Sequence, residues 1–261
     1  AKLILFKNNL KVNSNVICDN TIAKLIQNKV KKKYKYILQS KNNSFKILGS
    51  KPFGSKTKLK INYNNYIYNL TVNLIGEFQI KNLYYAMMLA VSSGISVDKI
   101  INVLPKLKPM EGRLNILKNK NKIVCLDYAH TPDGLEKVIT TLESHFKKKV
   151  NIVFGCGGNR DKGKRKKMAK IVNRLCKKII VTDDNPRDEN PKDITKQIYK
   201  FIDNGLVINN RKLAIKKAIQ RIRHNEVLLV AGKGHENYQI INGKKFHFSD
   251  YEEIIENLWI N

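Results

Sequence analysis

The sequence lacks the features that mark a membrane-spanning or zinc-binding protein. No apolar run approaches the roughly 18 residues that a membrane helix needs. The 4 cysteines include no pair at CxxC spacing and lie mostly in apolar strand or helix patterns, which favours buried, reduced thiols. We therefore expect a cytoplasmic protein that binds no membrane.

Acidic residues are few: 21 Asp and Glu stand against 50 Lys and Arg, for a formal net charge of +29. Such a basic chain can bind nucleic acid. Yet the lysines are spread along the whole chain beside many Asn and Ile, which is typical of an AT-rich coding bias. No RNP-type aromatic motif or single basic arm is present. We expect a monomer with small-molecule partners, and a nucleic-acid-binding Rossmann-like domain stays a distant alternative.

The hydrophobic pattern divides the 261 residues into two regions. Residues 1–111 begin with a short helical pattern and continue with strand patterns. Two helices follow, and a segment punctuated by Pro105, Pro109 and Gly112 reads as a linker. From residue 112 to 261, strands and helices alternate, which favours a mostly parallel sheet with helices on both faces. The predicted strands are 122–126, 150–154, 178–181 and 226–230, and the predicted helices are 79–93, 97–104, 132–146, 164–175, 191–202, 211–223 and 249–258. In the first of these helices, one apolar face is predicted and Gly94 is expected to end the helix; the face consists of Leu83, Ala86, Met87 and Ala90. Ser249 and Glu252 have the spacing of a capping box at the start of the last helix.

Two polar runs follow predicted strands in the second region. Residues 155–165 (GCGGNRDKGKR) open a helix, where glycines and the helix N-terminus favour an approaching anion. Residues 184–187 (DNPR) offer a carboxylate, an amide and a guanidinium on one turn, which suits a zwitterionic ligand such as an amino acid. Because open α/β sheets bind ligands at the carboxyl ends of their strands, we expect both runs in one site.

Several motifs, in this order, resemble those of the Mur ligase family, in particular its MurE branch. The resemblance spans nearly the whole chain and is weakest over residues 7–70. It implies an α/β chain: a partial central, ATP-binding domain over 1–111, then a Rossmann-like, amino-acid-binding C-terminal domain over 112–261. The matching segments are 76–82 (GEFQIKN), 110–113 (MEGR), 127–133 (DYAHTPD), 155–165, 184–187 and 231–236 (AGKGHE).

The resemblance implies ATP-dependent amide formation in peptidoglycan precursor synthesis. A carboxylate of UDP-N-acetylmuramoyl-L-Ala-D-Glu attacks the γ-phosphate of ATP to give an acyl phosphate. The amine of meso-diaminopimelate then displaces phosphate. ATP and Mg²⁺ are the implied cofactors, and the protein supplies positioning and charge neutralisation.

The resemblance also implies an amino-acid site. Arg187 can clamp the distal carboxylate of diaminopimelate bidentately, with Arg160 adding positive charge. Glu236 can accept from the distal ammonium, whereas lysine would leave Arg187 facing no anion. The alternative is that both arginines merely cap strand ends through local ion pairs. The implied set is Arg160, Asp184, Asn185, Arg187, Gly232 and Glu236.

Other matched positions imply a nucleotide site. Arg113 and His130 resemble nucleotide-contacting residues, and His130 is also a candidate catalytic group. Asp127 resembles the carboxylate that holds the ribose, and Asn82 the amide that contacts adenine. Lys162, Lys164 and Arg165 read as a solvated helix start, and of the three Lys162 is the one expected to face the nucleotide. The alternatives are a helix-terminal polar residue for Asn82, a helix cap for His130 and a solvated carboxylate for Asp127.

Lys2 lies in a segment, residues 1–6, that resembles the family's carbamylated-lysine segment. A carbamylated Lys2 would be a catalytic residue and a Mg²⁺ ligand, because carbamylation turns the amine into a carboxylate equivalent. A plain surface lysine is the alternative.

The sequence departs from the family in what precedes residue 76. The UDP-binding domain and the Walker-type loop of the family are not found. Residues 49–57 mimic a P-loop but have one residue too many before Lys56 and lie between strand patterns, so we predict a hairpin there. The first residue, Ala1, fits a fragment. We expect no turnover by these 261 residues alone, and a non-catalytic remnant that binds only amino acid or nucleotide stays an alternative.

Overall fold

The computed structural model describes residues 15–18, 20–27, 35–38 and 45–259. The chain divides into two compact units, Ala1–Lys108 and Pro109–Asn261. Within the described ranges, no helix is long and apolar enough to cross a membrane. The helical pattern predicted for residues 1–6 lies outside those ranges, and Lys2 with it.

The described part of the first unit combines strands and helices around one apolar core. A parallel pair of strands, β1 and β2, accompanies a three-stranded antiparallel meander, β3-β4-β5. The elements in chain order are β1 (Asn15–Cys18), α1 (Asn20–Gln27), β2 (Lys35–Leu38), β3 (Phe45–Phe53), β4 (Lys56–Tyr63), β5 (Tyr66–Val72), α2 (Glu77–Ser92) and α3 (Val97–Val103).

The segment that mimics a P-loop is a hairpin, as predicted. Strand β3 runs to Phe53, a turn containing Gly54 at a φ of 61° follows, and Lys56 is the first residue of β4. Because glycine adopts positive φ without a steric penalty, Gly54 suits this tight turn. No helix follows Lys56, so the geometry of a phosphate-binding loop is not formed here.

Helix α2 buries one face against this meander. Leu83 and Met87 lie in the core as predicted, together with Ile80. The helix turns the predicted core residue Ala86 to the exposed side, because the buried stripe follows positions 80, 83 and 87 at helical spacing. Gly94, at a φ of 86°, ends the helix as predicted.

The second unit contains the sheet that positions the site. Six strands lie in the order β10-β9-β8-β11-β7-β6, and all neighbours pair in parallel except β6 with β7. A separate antiparallel hairpin joins β12 and β13. The elements are β6 (Asn115–Asn119), β7 (Lys122–Asp127), α4 (Pro132–Phe146), β8 (Lys149–Phe154), α5 (Gly163–Leu175), β9 (Lys178–Val181), α6 (Pro191–Tyr199), β10 (Leu206–Val207), α7 (Arg211–Arg221), β11 (Glu226–Ala231), β12 (Tyr238–Ile241), β13 (Lys244–His247) and α8 (Asp250–Trp259).

Apolar residues cover both faces of this sheet. Val124 of β7 and Leu228 of β11 pack with α7 and α8 in one buried cluster. Their neighbours Cys125 and Leu229, also buried, alternate to the opposite face, against which α4 packs. Near-continuous burial is what a parallel sheet with helices on both sides requires. The predicted α/β architecture, a partial central domain followed by a mostly parallel sheet, is therefore confirmed.

Helix boundaries follow local capping groups. Pro132 begins α4, and the Thr131 hydroxyl accepts the Gly134 amide at 3.2 Å, so Thr131 is the cap. The alternative that His130 caps this helix is therefore wrong. At α8, Ser249 accepts the Glu252 amide at 3.3 Å, as the predicted capping box requires.

Candidate active site

A polar cavity of about 470 Å³ opens beyond the carboxyl ends of β7, β8, β9 and β11. This is the edge at which open α/β sheets bind ligands. The cavity brings together seven of the predicted site residues. They are His130, Arg160, Asp184, Asn185, Arg187, Gly232 and Glu236.

Two loops approach each other closely at one side of this cavity. The Gly158 amide donates to the Asn185 carbonyl at 2.9 Å. A Cβ built on Gly158 would lie 1.9 Å from the Pro186 carbonyl oxygen, and one built on Gly157 would lie 2.8 Å from Nη1 of Arg187. Real Cβ atoms do not come that close, so only glycine permits this contact. The glycine-rich run therefore serves loop packing as well as ligand access.

Arg187 is held at the cavity by backbone contacts on two sides. Its Nη1 donates to the carbonyl oxygen of Gly158 at 2.8 Å. Its own amide donates to the carbonyl of Ile240 at 3.0 Å, and its carbonyl accepts from the Asn242 amide at 2.7 Å. Among the described residues, neither Nε nor Nη2 of Arg187 meets a protein acceptor. That edge of the guanidinium is therefore the one that a carboxylate can engage bidentately.

Asn185 contributes an amide to the lining of the cavity, and Glu236 contributes a carboxylate. Nδ2 of Asn185 donates to Oε2 of Glu236 at 2.9 Å. Oδ1 of Asn185 accepts from the Ile240 amide at 3.0 Å and from Nζ of Lys233 at 3.1 Å. The same ammonium lies 3.2 Å from Oε2 of Glu236. A wholly buried lysine, Lys233, therefore contacts two of the predicted binding residues.

The hairpin β12–β13 fixes the DNPR loop from outside. Nε2 of Gln239 donates to the Asp184 carbonyl at 2.7 Å, while Tyr238 lines the cavity. Asp184 is buried, and a Cβ on Gly232 would lie 2.7 Å from its Oδ2. The acidic side of the cavity therefore lies around Gly232, and its cationic side around Gly157.

A buried ion pair supports both strand ends that carry the acidic side. Arg211 binds Asp250 in a bidentate manner: its Nε donates to Oδ1 and its Nη2 donates to Oδ2, each at 2.7 Å. The same guanidinium donates to the carbonyls of Ala231 and Asp183, at 3.0 and 3.2 Å. Sequence reasoning missed this pair, because the partners lie 39 residues apart and no pattern links them.

Arg165 corrects the interpretation of residues 162–165 as a solvated helix start. Its side chain is buried, and its Nη2 meets both oxygens of Glu189 at 2.9 Å. Glu189 also accepts the Asn159 amide at 2.6 Å. Burial raises the pKa of Glu189, but that amide and Arg165 outweigh it and hold the pKa below its ordinary value. The pair ties the glycine-rich run to the segment after DNPR.

Two of the predicted nucleotide residues of this unit, Arg113 and His130, contact the ring of Tyr128. Tyr128 packs against His130 and His235, with ring centroids 4.5 and 5.3 Å away, and the Arg113 guanidinium lies 4.7 Å from its centroid. His130 also bonds through Nδ1 to the Tyr128 carbonyl at 2.8 Å. Tyr128 lines the cavity and was not predicted. Arg113 and His130 are both exposed, so their side chains are accessible to a ligand.

Asp127 is not the solvated carboxylate of the alternative interpretation. It is buried, and its two oxygens accept the amides of Leu114 and Ala129 at 2.8 and 2.7 Å. Burial raises the pKa of Asp127, although these amides and the nearby Arg113 and His130 act in the opposite direction. Both oxygens hold the backbone here, so a ribose contact at Asp127 stays a prediction.

Arg113 and Asp127 do not line the cavity. Three further predicted residues lie apart from it or outside the described ranges. Lys162 is exposed and points toward Glu189 at 3.9 Å, while Lys164 lines the cavity. Asn82 is exposed in the second turn of α2, in the first unit. Lys2 lies outside the described ranges, so its predicted catalytic and metal-binding roles stay predictions.

Neither a metal nor a reactive thiol is indicated in the described ranges. There, no group of three or more His, Cys, Asp or Glu side chains could hold a metal ion. Cys156 lines the cavity, but burial, with Asp184 adding to it, raises the pKa of its thiol to about 12. A neutral thiol packs and does not attack. All four cysteines lie in the described ranges, and none forms a disulfide.

Comparison with known proteins identifies the family. Residues 112–234 match the family described as "Mur ligase, glutamate ligase domain". A curated UDP-N-acetylmuramoyl-L-alanyl-D-glutamate–2,6-diaminopimelate ligase of Rickettsia bellii is 40% identical over 259 residues, which cover 97% of this chain and 54% of the relative. The chain thus spans about half the length of the curated relatives it matches.

Solved structures give the same assignment. A structure of a UDP-N-acetylmuramoyl-L-alanyl-D-glutamate–2,6-diaminopimelate ligase superimposes with a TM-score of 0.67 at 29% identity, over 98% of this chain and 55% of that one. The MurF ligase of Thermotoga maritima in complex with ADP superimposes with a TM-score of 0.64 at 15% identity, over 95% of this chain and 53% of that one. At this identity the match shows a similar fold alone. Residues 112–234 therefore belong to the Mur ligase family, and the chain as a whole is homologous to its 2,6-diaminopimelate ligases over about half of their length.

Proposed function

We propose that this chain carries the amino-acid site of an ATP-dependent amide ligase that adds meso-diaminopimelate to UDP-N-acetylmuramoyl-L-Ala-D-Glu. The homology supports the ligase class, since curated relatives that are about 40% identical carry that name. The substrate choice rests on one observation: Arg187 is fixed beside Gly158 and keeps an open guanidinium edge at a cavity that also holds Arg160, Asp184 and Glu236.

The charges of the cavity suit a ligand with two carboxylates and two amines. Arg187, Arg160 and Lys164 supply positive charge near Gly157, and Asp184 and Glu236 supply negative charge. Diaminopimelate carries a carboxylate at each end, whereas lysine has none at the distal end. A charge-assisted contact of this kind contributes about 1.5–3 kcal/mol, or roughly 10- to 150-fold in affinity.

The chain's own residues then act by orientation. Asp184 and Glu236 face the amino groups of the ligand, and Arg187 with Arg160 anchors a carboxylate, so that one amine is held ready to attack. ATP, when bound, supplies the phosphoryl group that activates the acceptor carboxylate. Arg113 and His130 are the exposed groups of this unit that we assign to the nucleotide. Mg²⁺ and Lys2 stay predictions, as does a cytoplasmic location.

Calorimetric titration of the 261-residue chain with meso-diaminopimelate and with L-lysine tests the proposal. We expect diaminopimelate to bind roughly 10- to 150-fold more tightly. Equal affinities, or tighter binding of lysine, would contradict the substrate choice. No binding of either amino acid would contradict the amino-acid site itself.

A control variant shows whether the binding is at this cavity. Arg221→Ala removes an exposed arginine from the end of α7, just before β11 begins and so at the opposite edge of the sheet. We expect this variant to bind both amino acids as the unsubstituted chain does. A loss of diaminopimelate affinity in Arg221→Ala would indicate non-specific binding to the basic surface.

A further inference from the structure

Lys233 is a wholly buried cation whose contacts are all with the candidate site. Its side chain is 0% exposed, and it does not line the cavity itself. Nζ donates to Oδ1 of Asn185 at 3.1 Å and to Oε2 of Glu236 at 3.2 Å. The ammonium also lies 5.6 Å from the centroid of the Tyr238 ring. Burying a charge is costly unless it is paired, so Glu236 and Lys233 depend on each other.

These contacts fix how the Asn185 amide is turned. Two donors, Nζ of Lys233 and the Ile240 amide, converge on Oδ1. The NH₂ group of Asn185 must therefore point away from them, and it donates to Oε2 of Glu236. Without the Lys233 ammonium, only the Ile240 amide would hold Oδ1 of Asn185 in place. An Asn185 amide turned by 180° would bring its NH₂ group against that backbone N–H.

The same contacts decide which Glu236 oxygen a ligand meets. Oε2 accepts from both Asn185 and Lys233. Among the described residues, Oε1 accepts no hydrogen bond, and Glu236 lines the cavity. One oxygen is thus held by the protein and the other is left for a donor in the cavity.

We infer that Lys233 is a positioning residue of the amino-acid site: it holds Asn185 and Glu236 so that Oε1 of Glu236 faces the ammonium group of the bound amino acid. This inference rests on the proposed function, because it assigns the donor to an amino-acid ligand. In this arrangement Lys233 touches no ligand and acts through two residues that do.

A double-mutant cycle on the 261-residue chain tests this inference. The variants are Lys233→Met, Glu236→Gln and the double variant, and the readouts are the Kd for meso-diaminopimelate and Tm. We expect Lys233→Met to raise Kd about tenfold or more, yet to change it less than about twofold when Glu236→Gln is already present, because residues in one network are not additive. Lys212→Met is the control. Lys212 also has two side-chain partners, the carboxylates of Glu253 and Glu256, but it lies on α7 and does not line the cavity.

Each outcome is decisive. Equal losses from Lys233→Met in both backgrounds would show a general structural effect and overturn the inference, as would unchanged binding by Lys233→Met. If Lys233→Met does not fold, the Kd values of Glu236→Gln and of the double variant are compared directly, since the double variant carries no buried unpaired charge.

A Kd for diaminopimelate that is a further tenfold higher in the double variant would then overturn the inference. If the unsubstituted chain binds no diaminopimelate, the proposed function fails and the inference fails with it. Binding that is insensitive to Lys233 defeats the inference alone.

Discussion

Nη1 of Arg187 donates to the carbonyl oxygen of Gly158 at 2.8 Å. The preceding residue leaves room for that contact, because a Cβ on Gly157 would lie 2.8 Å from the same nitrogen. The glycine-rich loop therefore both holds this guanidinium and makes space for it. The geometry of the amino-acid site depends on two neighbouring glycines in different ways.

Gly157→Ala should weaken diaminopimelate binding while leaving the fold largely intact. The added methyl group meets the end of a flexible side chain, so Arg187 moves away and loses its bidentate geometry. We expect about a tenfold rise in Kd, measured by calorimetry, with a small change in Tm. Gly158→Ala is the contrasting variant, since its methyl group would lie 1.9 Å from backbone oxygen. It should destabilise the fold by about 1–3 kcal/mol. Equal stability losses in both variants would contradict this distinction.

Asp250→Ala should destabilise the second unit strongly. It leaves the buried Arg211 guanidinium without its bidentate partner, and breaking such a pair costs about 3–5 kcal/mol. Urea unfolding measures this change in free energy. Glu256→Ala, which removes an exposed partner of Lys212, is the control and should change stability little. A loss as small in Asp250→Ala as in Glu256→Ala would show that Arg211 finds another partner.

Glu226 should make the fold sensitive to acid. Burial raises the pKa of Glu226, but hydrogen bonds from Lys178, Asn151 and the Arg223 amide outweigh it and lower the pKa to about 2. A carboxyl with a depressed pKa stabilises the fold above its unfolded pKa of about 4.3, and this stabilisation is lost as the pH falls toward 2. The contribution is at most about 3 kcal/mol.

The matched variant for this prediction is Glu226→Gln. Urea unfolding at several pH values should show the largest stability difference between the two proteins above about pH 5, shrinking as the pH falls toward about 2. A difference that stays constant across this range would mean that the pKa of Glu226 is the same in the folded and the unfolded protein.

The regular part of the second unit could be predicted because its signals are local. The predicted helix over 132–146 and strand over 178–181 have the observed boundaries. Pro132 and a threonine cap fix the helix start, and unbroken apolar runs mark strands that are buried on both faces. The same locality explains the correct hairpin around Gly54.

Several short elements of the second unit could not be predicted. Strand β6 pairs with β7, and hairpin β12–β13 pairs with the DNPR loop through Arg187 and Ile241. Neither segment alternates strongly between apolar and polar residues. The predicted helix over 191–202 ends early, at Tyr199. Short elements of this kind depend on tertiary hydrogen bonds more than on local propensity.

The site shows the same division. Motif residues such as Asp184 and Glu236 could be named from the sequence, because the family resemblance marks them. Arg165, Lys233 and Arg211 could not be assigned their burial, since in this lysine-rich chain a basic residue predicts an exposed side chain. Their burial depends on the carboxylates of Glu189, Glu236 and Asp250, and only Glu236 lies near its partner in the sequence.

The 261-residue chain by itself should form no amide bond. Lys56, the lysine of the P-loop-like segment, begins a β-strand, so no phosphate-binding loop is built around it. With ATP, UDP-muramoyl dipeptide and meso-diaminopimelate present, we expect no phosphate release above that of the Lys56→Ala variant. Release that depends on both substrates would contradict this expectation.

The most direct measurement is a thermodynamic cycle between Arg187 and the distal carboxylate of the ligand. The Kd values for meso-diaminopimelate and L-lysine are compared in the unsubstituted chain, in Arg187→Ala and in the Arg221→Ala control. Arg187→Ala should raise the Kd for diaminopimelate roughly 10- to 150-fold and that for lysine much less, so that the preference disappears. Equal losses for the two amino acids in Arg187→Ala would contradict the assignment of this arginine to the distal carboxylate.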